Sequence, residues 1–206
     1  MDAAARHGAQ AERGQEIEFR TTYEGEKMKR HLCIVPVVLA FCFTIACQDK
    51  AAMAELEKYR AQAKLEEQNK ELARKVIAAI DRNDFATLKE LCSPDVTVSA
   101  PGLTTPMNFE TLTQFFKAHY TAFPDWKHSI EEVVAEGNTV VIKLVQSGTH
   151  KAPYEGIPPT ETKVTEPGLY SFVVVNGKIK GAYVIEDSLG LYQQLGMELK
   201  PKAPTR

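Results

Sequence analysis

The chain has 206 residues, 44% hydrophobic and 25% charged, enough for one soluble globular domain with a core plus extra segments at its ends. Its 25 basic and 27 acidic residues leave a net charge of −2, which offers nucleic acid no electrostatic footprint. With no glycine-rich phosphate loop, HExxH or CxxC pair, neither a cofactor nor a metal site is expected.

Residues 1–27 are polar and weakly patterned, and read as a disordered tail or as sequence ahead of a true start at Met28. Residues 28–47, "MKRHLCIVPVVLAFCFTIAC", combine a basic start, an apolar run from Leu32 to Phe43 and a small residue before Cys47. The run is short of the ~20 residues of a membrane span and has the shape of an export signal. Ala46-Cys47 resembles the lipobox of bacterial lipoproteins, although Thr44 stands where a leucine-like residue is preferred. The resemblance implies lipidation at Cys47 and anchoring in the bacterial cell envelope, on its periplasmic or extracellular face. An uncleaved anchor or an accidental apolar run are the alternatives. Cys33, Cys42 and Cys47 crowd into this segment and leave Cys92 alone, so no disulfide framework is expected. Cys92 reads as a small buried apolar side chain, not a nucleophile.

Residues 48–71 are helix-prone without an apolar stripe and read as a tether, with Glu66/Lys70 and Glu71/Lys75 as i,i+4 pairs. From Leu72 the stripe Leu72, Val76, Ile80 marks entry into a domain expected over 72–199, with 200–206 as a disordered tail. A turn at Asn83-Asp84 precedes the helix pattern "DFATLKEL", and "DVTVSAPG" reads as a strand. Asn108 is placed to N-cap "FETLTQFFKAHYTAF", whose stripe carries Phe109, Leu112, Phe116, His119 and Phe123, before "PDW" ends the helix. His119 there reads as a core or pocket-wall histidine. "HSIEEVVAEGNTVVIKLVQSGTH" is a hairpin around Gly137-Asn138, and Asn176-Gly177 between two β-rich runs is a type I′ turn. This order implies an α+β fold with helices on one face of a bent sheet.

Parity from the Asn176-Gly177 turn puts Tyr170, Phe172, Val174, Ile179, Tyr183, Ile185 and Asp187 on one face, and Lys178, Lys180 and Glu186 on the wetter one. Asp187 then enters the apolar side as a candidate general base, with Tyr183 and Tyr170 as oxyanion donors. The alternative is that Asp187 N-caps the helix that follows it. Glu166 falls opposite Asp187 unless Pro167-Gly168 interrupts the ladder. The same test turns Gln146 and His150 inward. These two, with Phe172, His119, Phe116 and Trp126, are the expected substrate wall.

The blocks "SPDVTVSAPG", "TAFPDW", "VAEGNTVVIKLVQSGTH", "YEGIPPTETKV" and "NGKIKGAYVIEDSLGLYQQLG" together resemble the SnoaL-like polyketide cyclase and ester cyclase family, over Leu72 to Gly196. The resemblance implies the cone-shaped fold of nuclear transport factor 2 and ketosteroid isomerase, in which a curved antiparallel sheet and helices enclose an apolar pocket. It also implies metal-free intramolecular aldol closure of a polyketide ester, with Asp187 matching the family's proposed acid/base aspartate. Ala182 and Ser99 stand where many members carry histidine. The expected function is therefore proton abstraction next to a carbonyl in a small apolar substrate. A non-catalytic ligand-binding module, or a module that forms a homodimer through the outer sheet face, is the alternative.

Overall fold

The computed structural model describes residues 50–198 and 200. The expectations for residues 1–27, for the signal with Cys47, and for 201–206 lie outside the described residues. The chain divides into two compact units, 1–59 and 60–206. In the first, residues 50–59 are helical and exposed.

The second unit opens with helix α1, residues 60–81. Of its stripe, Val76 and Ile80 are buried, with Ile77, Ala79 and Ala73 beside them, and Leu72 is half-buried against the core. Contact with the sheet starts a turn before Leu72. Glu66 accepts from Gly137 N at 2.9 Å, and the buried Asn69 side chain donates to Gly137 O at 2.9 Å. Glu66 is thereby drawn off its expected partner, and Lys70 pairs with Glu67 at 2.6 Å instead. After Asn83, at φ +54°, Asp84 caps helix α2 (Phe85–Leu91). Asn108 caps α3 (Phe109–Ala122) by accepting from Thr111 N at 2.9 Å. Tyr120 on α3 donates to the Ile80 carbonyl at 2.9 Å, a second bond beside the one that this acceptor takes from Asn83 N at 2.9 Å, and so ties the helices together.

The strands are β1 (Cys92–Ser99), β2 (Lys127–Glu136), β3 (Thr139–Thr149), β4 (Lys163–Val175) and β5 (Lys178–Glu186), followed by helix α4 (Ser188–Gln194). They form one sheet in the order β1-β5-β4-β3-β2. The sheet is antiparallel except at one edge, where β1 runs parallel to β5, a pairing the local patterns do not reveal. Asn176 and Gly177 both have positive φ, 51° and 70°, as a type I′ turn requires.

The turn sets Val175 opposite Lys178 and Val174 opposite Ile179, and there the expected register ends. Val173 pairs with Gly181, so Lys180 is an extra residue in β5. Lys180 swings to the edge and pairs with the Asp95 carboxylate on β1. Beyond it every β5 side chain changes face: Tyr170 sits opposite Val184, and Gly168 opposite Glu186. Gly181, an isolated glycine in a β-rich run, is the local mark of this bulge. The β4–β5 pairing ends at Gly168 opposite Glu186, so Glu166 is not set opposite Asp187, whereas the β3–β4 ladder runs unbroken through Pro167-Gly168.

Candidate active site

The bulge corrects the assignment of the acids. Asp187 is exposed and caps α4, accepting from Gly190 N at 2.9 Å. Tyr183 is also exposed, on the outer face of the sheet. Glu186 points inward instead, beside Tyr170 and Phe172.

Four strand positions meet there. Alternation along β3 buries Ile142, Leu144 and Gln146, and Gln146 pairs across the ladder with Glu166 of β4, which is 3% exposed. Glu166, Gly168, Tyr170 and Phe172 alternate onto the same face. Gly168 has no side chain to compete for the space beside the Tyr170 ring and the Glu186 chain. A Cβ on Gly168 would lie 3.3 Å from Tyr170 Cε1 and 3.5 Å from Glu186 Cγ.

Gln146 organises the cluster. Trp126 Nε1, which can only donate, bonds Gln146 Oε1 at 3.1 Å and so fixes the amide's orientation. The two amide protons then go to Glu166 Oε2 at 3.0 Å and Glu186 Oε1 at 2.8 Å. The Tyr170 hydroxyl lies within reach of both Gln146 Oε1, at 3.0 Å, and Glu186 Oε1. Its single proton favours the carboxylate, because a hydrogen bond to an ionised acceptor is the stronger one.

Two carboxyls that share one amide cannot both hold full charge at low cost. Burial, and then the Glu186 charge, push the Glu166 carboxyl up to about 8. At neutral pH Glu166 is therefore a carboxylic acid, with the Tyr170 phenol, raised by burial and by Glu186, protonated beside it. One end of the site thus holds a proton acceptor and two proton donors.

The rest is apolar. The cluster lies in the wall of a cavity of about 270 Å³. Phe116, His119, Trp126 and Phe172 line it together with Gln146, Glu166, Tyr170 and Glu186, so these expected wall residues come together. Cys92 is in the lining, buried, with its thiol pushed up to about 11 by burial. His150 is fully buried but is not part of the cavity wall. Its Nδ1 accepts from Thr160 N at 3.2 Å and its ring stacks on Phe123, which ties down the loop between β3 and β4. Glu186 escapes a reading by turn parity, and only Gly181 hints at the shift.

The sequence model of the SnoaL-like polyketide cyclase family matches residues 70–195. Wild-type IdmH of Streptomyces antibioticus, assigned as a polyketide cyclase, is similar at 27% identity and TM-score 0.59 over 63% of this chain and 99% of its own. A protein of Acidithiobacillus ferrooxidans with the same assignment is similar at 25% identity and TM-score 0.57, covering 63% and 94%. A SnoaL-like protein of Jannaschia sp. CCS1, at 19% identity, TM-score 0.60 and coverage of 66% and 96%, shares the fold. No curated protein matches the chain.

Proposed function

Because the chain belongs to the SnoaL-like polyketide cyclase family, we propose that it carries out proton transfer next to a carbonyl of a small apolar substrate, using its own side chains alone. The observation that carries this reading is the acid pair bridged by Gln146 at the polar end of an apolar cavity. The Glu186 carboxylate takes a proton from the carbon beside the carbonyl, and the C–H electron pair moves into an enolate. Glu166 or Tyr170 donates a hydrogen bond to the enolate oxygen as its charge develops. The enolate carbon then either recovers a proton from Glu186 or attacks a second carbonyl of the same molecule; that closes a ring, moves the C=O π pair onto oxygen, and the resulting alkoxide takes the proton back from Glu186.

The test is deuterium exchange into the methyl group of acetophenone, followed by NMR. Wild-type protein exchanges it, and Glu186→Gln loses on the order of 100-fold or more. Equal exchange by the two proteins overturns the reading. Binding of acetophenone with no exchange by either would favour a non-catalytic ligand-binding module.

The cell-envelope location belongs to the proposal as well. Processing at Cys47 would attach a lipid and hold the domain at a bacterial membrane. Incorporation of a labelled fatty acid, lost in Cys47→Ala, supports it, and an unlabelled wild-type protein refutes it. A homodimer is favoured by a separate feature: Leu169, Val173, Tyr183 and Ile185 lie exposed together on the outer sheet face.

A further inference from the structure

One polar group in the cavity plays no part in the acid cluster. His119 is 6% exposed and lines the cavity, and neither of its ring nitrogens has a hydrogen-bond partner among the described residues. Aromatic rings hold it in place. It stacks on Phe123 at 5.0 Å and Phe115 at 5.8 Å, and meets Trp126 at 4.6 Å and Tyr154 at 5.5 Å edge to face. Burial, with a smaller effect of His128, holds the imidazole down at about 4. At neutral pH it is uncharged, with one N–H to donate and one bare nitrogen to accept. Leaving both unmet in an apolar wall is a desolvation cost that a polar ligand atom removes.

The same Trp126 that packs against His119 reaches the acid end, with Nε1 3.1 Å from Gln146 Oε1. The Gln146 amide in turn bonds both Glu166 and Glu186, so the unpaired imidazole and the acid pair lie on one wall, joined through the indole and that amide. Among the described residues, no lysine or arginine lines the cavity, so an anionic group would meet the Glu186 carboxylate with no compensating charge. The volume of about 270 Å³ exceeds the ~150 Å³ that admits benzene, so a substituted ring fits.

We propose that His119 is a specificity-determining ligand-binding residue: it selects uncharged, largely apolar molecules that carry a second oxygen, a hydroxyl or carbonyl, across a ring from the carbonyl held at the acid pair. This rests on the reading of Glu166 and Glu186 as the carbonyl-binding end. The second oxygen bonds one imidazole nitrogen, and the aromatic cage fixes the ring plane between the two polar points.

Three probes test it by calorimetry on the full chain: acetophenone, 4′-hydroxyacetophenone and 4-acetylbenzoate. Wild-type protein binds the hydroxy ketone about tenfold more tightly than acetophenone, the worth of one neutral hydrogen bond to an otherwise unpaired buried group. It binds the carboxylate most weakly. In His119→Phe the ratio of the two ketone affinities falls to about one, whereas His119→Gln, with a donor and an acceptor, retains part of the preference. The His119 imidazole ¹⁵N resonances shift with the hydroxy ketone and not with acetophenone. Equal affinities for the two ketones in wild type, a preference that survives His119→Phe, tighter binding of the carboxylate, or silence from all three probes overturns the inference. Failure of proton transfer reads out separately: the hydroxyl preference would persist with no deuterium entering either ketone.

Discussion

The side chain that sets the character of the site is Glu166, a carboxyl held neutral by burial and by a neighbouring charge. Its proton affinity is raised on folding, from an ordinary value of 4.5 to about 8. The native state therefore binds more protons than the unfolded chain between these values. The stabilising contribution is complete below 4.5 and is lost as pH rises through about 8. His119 acts in the opposite sense: its value falls from 6.5 to about 4, so its contribution is complete above 6.5 and is lost as pH falls towards 4. Wild-type stability in urea should be level where the two windows overlap, from pH 4.5 to 6.5, and decline from pH 6.5 to 8. Glu166→Gln should abolish that decline and be the more stable protein at pH 9, by a few kcal/mol. An unchanged slope in the variant would contradict a neutral Glu166. Asp187 is a contrasting acid. As the α4 cap it should cost about 1 kcal/mol when changed to alanine, while deuterium exchange into acetophenone stays at the wild-type rate. Loss of exchange in a fully folded Asp187→Ala protein would return the base to the position that turn parity suggests.

Among the elements, those with local signals were legible. Asn108, Asp84 and the Asn176-Gly177 turn each satisfy or orient backbone groups within a few residues, so their residue types announce them. The β3 alternation likewise places Gln146 correctly, because no bulge intervenes between Val140 and Gln146 on the β4 side. Strand β5 was legible only as far as Ile179. Its extra residue is held by a contact to Asp95, 85 positions earlier, and by parallel pairing with β1, neither of which leaves a periodic trace. The site was thus half readable: the apolar wall and Tyr170 were, and the acid that faces them was not. A second long-range dependence concerns Gly148. A Cβ there would stand 2.6 Å from Trp126 Cε3 and 3.2 Å from Trp126 Cα, so the bare backbone of β3 is what seats the indole. Gly148→Ala should cost about 1–3 kcal/mol and weaken the Trp126–Gln146 bond. Trp126 is the chain's single tryptophan, so a shift in its emission maximum reports the displacement without ambiguity. Unaltered emission and stability would show that the strand accommodates the methyl group.

For the molecule as a whole, the bulge has given one sheet two distinct uses. Inward it presents Glu186, and outward it adds Tyr183 and Ile185 to Leu169, which pairs with Ile185 across the ladder. In the proposed homodimer, this apolar strip is the face that a second copy of the chain would cover. Tyr183→Glu should convert a dimer to a monomer by light scattering, with acetophenone exchange per chain retained; a wild-type monomer at high micromolar concentration would refute the dimer. Lys180 also bears on how such a strand is compared between two proteins. When two such chains are aligned, a column tells which residues correspond along the backbone, whereas the number of residues between turn and acid tells which ones see the substrate. Loss of that single codon would exchange the whole inner and outer complement of the strand at once. A lineage can thus trade its reactive residue for a surface residue by one insertion or deletion, with every neighbouring side chain left unchanged.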